Sequence, residues 1–155
     1  MKVRLLCIGQ RMPSWVDEGV AEFGRRLPRE WDFEVVELPL GAKAKTVEPS
    51  KARALEAERL DHAAGPRVRR IALEVKGKAL SSEQLSDRLS DWQQTGQDLA
   101  FLIGGPDGLD SELSRSCDER WSLSPLTMPH PLVRLVVVEQ LYRAHTLQTG
   151  HPYHR

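Results

Sequence analysis

The chain ends Gly150-His151-Pro152-Tyr153-His154-Arg155. A phenol ring, two imidazoles and a guanidinium in one short run suit stacking on a nucleobase and pairing with phosphate. Chain ends are ordinarily small, polar and frayed, so this composition is an anomaly; a disordered basic end is the plainer reading. Two further segments carry unusual residues. Gly104-Gly105-Pro106-Asp107-Gly108 follows the continuous apolar run Leu99–Ile103. Glycines after a buried strand let backbone approach a ligand closely. The spacing is neither that of a phosphate-cradling P-loop nor that of a dinucleotide fingerprint. Pro-Asp-Gly is equally a common turn. Leu123 through His130 is largely apolar yet contains Pro125 and Pro129. That excludes a regular helix or a central strand. It leaves a packed connection or a rigid wall for a flat ring. His130 alone reads as a satisfied loop histidine.

Other chemistries drop out on residue type. No His, Cys, Asp or Glu cluster has metal-ligand spacing, so no metal is expected. There is no Gly-x-Ser-x-Gly elbow. Cys7 and Cys117 are far apart and read as free, packed thiols. The adjacent carboxylates Asp17-Glu18 and Asp118-Glu119 read as solvated helix faces.

The elements that must position these segments alternate. Lys2–Ile8 reads as a first strand ending at Gly9. Pro13 opens a helix with an apolar stripe at Trp15, Val16, Val20 and Phe23 or Leu27. Phe33–Leu38 is a second strand, and residues 41–49 form a loop with Lys43 and Lys45. Ser50 to Ala64 is a helix stopped by Gly65-Pro66. Val68–Val75 is a third strand, turned by Gly77, so that Lys76-Gly77-Lys78 is a third loop at a strand end. Ser81 or Ser82 caps a helix to Gln94. Leu99–Ile103 reads as a fully buried central strand. Ser111–Glu119 reads as a helix, Trp121–Ser124 as a short last strand, and Leu132–Leu147 as a long final helix. The expectation is an α/β fold, a mainly parallel sheet with helices on both faces. In such sheets ligands bind outside the carboxyl ends of the strands.

The 155 residues fit one domain, residues 1–155. No apolar stretch approaches the roughly 20 residues that span a bilayer, so a cytoplasmic location without membrane attachment is expected. The formal net charge is zero, which disfavours holding RNA by bulk electrostatics. The charge is uneven, however. Residues 73–130 carry 5 Lys/Arg against 10 Asp/Glu, and residues 131–155 carry 3 against 1. An RNA-facing surface would therefore be local and assembled from several segments.

An ordered set of residues resembles the RlmH family of ribosomal RNA large subunit methyltransferases, in the SPOUT class. It comprises Ile103–Gly108, Ser122-Leu123-Ser124, Leu126-Thr127, Pro129-His130, Leu132, Arg134, Glu139–Ala144 and Tyr153-His154-Arg155. The opening Gly9…Met12-Pro13…Trp15 and the overall length belong to it too. The resemblance implies a deep C-terminal trefoil knot, which sequence pattern alone would not suggest. It implies S-adenosyl-L-methionine as cofactor, held by Leu73, Gly104, Leu123, Ser124, Pro125, Leu126, Thr127 and Met128. Pro125 is expected to contribute backbone rather than side chain. It further implies a homodimer in which Tyr153, His154 and Arg155 of one subunit reach the site of the other, with Arg143 as a further catalytic candidate. The implied substrate is N3 of a pseudouridine in the helix 69 loop of 23S rRNA on the assembled ribosome. A non-catalytic RNA- or ribosome-binding module, using Lys43, Lys45 and the tail, is the alternative that the residues themselves leave open.

Overall fold

The computed structural model describes residues 1–41 and 47–155; Lys43 and Lys45 lie outside them. Five parallel strands stand in the order β2-β1-β4-β3-β5. They are β1 (Val3–Ile8), β2 (Glu34–Leu38), β3 (Arg69–Ala79), β4 (Leu99–Ile103) and β5 (Glu119–Ser122). The helices are α1 (Ser14–Gly24), α2 (Pro49–Ala64), α3 (Ser82–Thr95), α4 (Ser111–Ser116) and α5 (His130–Thr149). The central strands β1 and β4 are covered on both faces, which is why they are apolar without alternation. On one face Val3, Leu5, Phe101 and Ile103 pack with Leu89 and Trp92 of α3 and Val138 and Leu141 of α5. On the other, Leu6, Ile8 and Leu102 pack with Leu60 of α2 and Leu113 of α4.

Local signals set most boundaries. Ser81 and Gln84 form a reciprocal capping box at the start of α3. Gly96 and Gly150 end α3 and α5 in the left-handed conformation, at φ +66° and +70°. Several expectations need correction. The third strand does not turn at Gly77 but runs to Ala79. Leu73 and Lys78 both lie opposite Trp121, so residues 74–77 bulge out of the ladder. Gly77 serves close approach rather than a turn, since a Cβ there would lie 2.5 Å from the Trp121 carbonyl carbon. The helix at Ser111 stops at Ser116, and β5 starts at Glu119 rather than Trp121. The Asp118 carboxylate, read as a solvated helix face, accepts the Arg70 N–H at 2.8 Å. The last helix starts two residues early, at His130, because Pro131 sits in a first turn that needs no N–H. Trp15 is 56% exposed and leaves the stripe of α1 to Val16, Val20 and Phe23.

The connection after β5 decides the site. It leaves the sheet edge and reaches the end of β1, where the His130 ring lies 3.2 Å from the position of a Gly9 Cβ. Arg134, one turn into α5 and 2% exposed, fixes this docking. Its guanidinium donates to Gly9 O at 2.7 Å and to the Glu37 carboxylate at 2.6 Å.

Candidate active site

The crossing segment, the bulged stretch of β3 at residues 73–75 and the end of β4 line a cleft of about 740 Å³. Its wall includes Leu73, Gly104, Leu123, Ser124, Leu126, Thr127 and Met128. Pro125 is not on the wall, and its ring is exposed. Lys76, Gly77 and Lys78, read as part of a strand-end loop, lie within β3 and away from the cleft.

Short-range bonds shape both loops. Gly108 N donates to Gly105 O at 3.0 Å, with Gly108 at φ +80°. A Cβ on Gly104 would stand 2.5 Å from the Gly108 carbonyl carbon, so only glycine permits this hairpin-like return. Asp110 then caps α4 through Leu113 N at 3.1 Å. In the crossing loop Ser122 Oγ donates to Ser124 O, and Leu126 N donates to Ser124 Oγ, each at 3.0 Å. Leu126 is left 75% exposed at the rim.

Three ionisable groups to which the sequence assigned no role lie on the cleft wall or behind it. Glu74 is on the wall, where its carboxylate accepts from the buried Ser114 hydroxyl at 2.6 Å. Glu56 is buried below Gly105, and burial followed by the nearby Asp107 pushes its carboxyl above the ordinary range. His130 is also on the wall. Burial, then the Arg134 guanidinium, push its imidazole below the ordinary histidine range. Its Nδ1 is buried with no partner among the described residues. This contradicts the expectation of a satisfied loop histidine. No sequence signal marks Glu56. The Pro-His-Pro run was the available signal for His130.

The tail residues gather elsewhere. After Gly150 the chain makes a 3-10 turn at Pro152–His154, with the His151 side chain accepting the Tyr153 N–H at 3.1 Å. The Tyr153 ring packs 4.7 Å from Tyr142 and 6.3 Å from Phe23 of α1, centroid to centroid. Its hydroxyl donates to the Glu139 carboxylate at 2.9 Å. Arg143 donates to the same oxygen at 2.6 and 3.0 Å, and its guanidinium lies 5.0 Å from the Tyr153 ring centroid. Burial, then the bond to Glu139, push the phenol above its ordinary range, so it remains a donor. The tail is thus anchored rather than frayed. None of Arg143, Tyr153, His154 or Arg155 is on the cleft wall. α5 starts at the cleft, and at 1.5 Å per residue Arg143 is about 20 Å further along it.

A family model described as predicted SPOUT methyltransferase matches residues 1–154. A ribosomal RNA large subunit methyltransferase H of Saccharophagus degradans is 50% identical over 155 residues, all of both chains. The enzyme of the same name from Stenotrophomonas maltophilia is also 50% identical, over all of this chain and 99% of its own.

The chain belongs to the SPOUT methyltransferases, in the ribosomal RNA large subunit methyltransferase H family.

Solved structures agree on the fold. A probable methylase family protein from Haemophilus influenzae superposes with a TM-score of 0.63 at 11% identity, covering 97% of this chain and 69% of its own. A probable methyltransferase from Bordetella pertussis gives 0.60 at 16%, covering 92% and 95%. At those identities the likeness concerns the fold alone. The cleft of this methyltransferase fits a nucleoside thioether in kind. It is largely apolar, lies beside the end of β4, and is bordered by a backbone cradle at Gly104 that a Cβ would fill. Among the described residues no three His, Cys, Asp or Glu side chains converge as a metal site, and no helix is long and apolar enough to cross a membrane.

Proposed function

We propose that this chain methylates N3 of a pseudouridine in the helix 69 loop of 23S rRNA, on the assembled ribosome, with S-adenosyl-L-methionine as methyl donor. The observation that carries the reading is the cleft itself, walled by Leu73, Gly104 and the loop from Leu123 to Met128. Its relatives' printed name, ribosomal RNA large subunit methyltransferase H, supports rRNA as the substrate class. In this reading those wall residues hold the cofactor, and the backbone at Pro125 completes the loop. The bound cofactor supplies an electrophilic methyl group, so the protein's work is mainly positioning. The trefoil knot of the class belongs to the same reading.

The tail is anchored at Glu139, about 14 Å along α5 from His130. We assign it to the cleft of a second copy. α5 supports that assembly: six of the seven residues 132–138 are apolar, yet Leu132, Leu135 and Val136 are only half-buried. Tyr153 and Arg143 fix the turn. His154 and Arg155 then face the substrate, His154 as acceptor of the N3 proton and Arg155 toward phosphate or a developing oxyanion. Such a dimer functions in the cytoplasm, on ribosomes.

The test is mass spectrometry of rRNA nucleosides after incubating the protein with labelled S-adenosyl-L-methionine and ribosomes lacking the modification. The expected product is one N3-methylated pseudouridine per 23S rRNA. Label at any other base, or none, refutes the assignment. Mixing a His154→Ala chain with a Gly104→Val chain tests the shared site. Activity restored in the mixture is expected, and a mixture as inactive as its parents refutes it.

A further inference from the structure

His130 occupies a position that no part of the proposed chemistry uses. Pro129 and Pro131 flank it at the head of α5, and its ring is held against Gly9. It is on the cleft wall, with a buried Nδ1 that has no partner among the described residues. The charged group beside it is Arg134 of its own helix, whose guanidinium is held by Glu37 of β2 and by Gly9 O of β1's end. From β3, Glu74 shares the cleft wall.

A neutral imidazole carries one proton on one of two nitrogens. A buried Nδ1–H without an acceptor loses its hydration and gains nothing. With the Arg134 guanidinium beside the imidazole, a bare lone pair at the buried nitrogen is better placed than a further positive hydrogen. The proton therefore belongs on Nε2.

We propose that His130 is a catalytic hydrogen-bond donor in the cleft: its Nε2–H binds the carbonyl oxygen beside the imide nitrogen that receives the methyl group. This rests on the reading of the substrate as a pyrimidine imide. As the N3–H bond breaks, its proton passes to another base and its electron pair spreads onto the flanking carbonyl oxygens. A fixed N–H there stabilises that charge and raises the population of the nucleophile. N3 then forms its bond to carbon as the carbon–sulfur bond breaks, with that pair remaining on a neutral thioether. The Nε2 proton is not transferred. A neutral donor suits this task, and Arg134 opposes the imidazolium form.

The inference separates from simple base catalysis by substitution. His130→Gln keeps an N–H donor and is no base; His130→Leu keeps bulk and has neither. The variants are compared in single-turnover methylation of unmodified ribosomes, with S-adenosylhomocysteine affinity measured by calorimetry on each folded dimer. The expected result is a rate for His130→Gln within about tenfold of the parent. For His130→Leu the expected loss is about a hundredfold or more, the usual size for an oxyanion donor, with ligand affinity held within about threefold in both. Equal loss in the two variants, or no loss in either, overturns the proposal. A second readout needs no turnover. Long-range proton–nitrogen NMR of the labelled protein should show His130 as the neutral Nε2–H form at pH 7. The Nδ1–H form or the imidazolium overturns the proposal even if ribosome methylation is established. A parent protein that shows the Nε2–H form but transfers no methyl group to ribosomes refutes the substrate reading, and this role with it.

Discussion

The cleft and the tail solve recognition in opposite ways. The cleft is built from backbone and apolar side chains at the bulge of β3 and the end of β4, with glycines at Gly104, Gly105 and Gly108 where the chain doubles back. Its order comes from what is excluded: a Cβ on Gly104 has no room. The tail is built from side chains. One carboxylate, Glu139, collects bonds from Tyr153 and Arg143, and the Tyr153 ring is packed between Tyr142, Phe23 and Arg143. Backbone-defined sites break through sterics and at once. Side-chain-defined sites weaken bond by bond.

Gly104→Val should show the largest effect. It forces the 104–108 return open, and calorimetry should find affinity for S-adenosylhomocysteine reduced at least a hundredfold. Affinity within a few-fold of the parent would show that the loop tolerates the added carbons and that sterics do not define the cleft. Arg134→Met comes next, because it removes the guanidinium that bonds α5 to Gly9 and Glu37. Removing one partner of a buried pair typically costs about 3 kcal/mol or more. Glu37 is partly exposed, so the lower end is expected, read from urea unfolding. A loss below about 1 kcal/mol would mean that the crossing is held by packing alone.

Tyr153→Phe deletes a single hydroxyl and should cost about 1 kcal/mol. The change should appear as faster amide exchange confined to residues after Gly150, with ligand affinity unchanged. Loss of affinity in this variant would merge the two regions that the structure keeps apart. The smallest effect concerns pH. His130 and His145 are both held below the ordinary histidine range by burial. The unfolded chain therefore binds more protons than the folded one near and below pH 6.5, so stability should fall as pH drops through that region and level off above it. His145→Gln should flatten part of the slope in a melting-temperature series. An unchanged slope would assign the dependence to His130 and the cleft side alone.

Much of the layout was legible beforehand for identifiable reasons. β4 declared itself by five apolar residues between a glycine and a glycine loop, and α3 by its Ser-x-x-Gln box. The wall residues Leu73, Gly104 and Leu123–Met128, implied by family resemblance, do surround one cleft, Pro125 excepted. What went unread was long-range. Gly77 resembles a turn locally, and only the approach of β5 makes it part of a bulged strand. Trp15 fits a helical stripe that the sheet never covers. His130 resembles any loop histidine until Gly9 arrives from the end of β1, where Arg134 of the same helix is bonded.

The sequence alone determined the element types, the buried centre of the sheet and the glycine loop after β4. Periodicity, caps and backbone sterics act over a few residues and need no partner. Tertiary structure alone decided where the post-β5 crossing runs, that Arg134 and Glu37 meet across 97 residues, and that the tail is anchored away from its own cleft. Those outcomes depend on burial and on charges brought together by the sheet order β2-β1-β4-β3-β5, and desolvation acts only once the chain has closed around them.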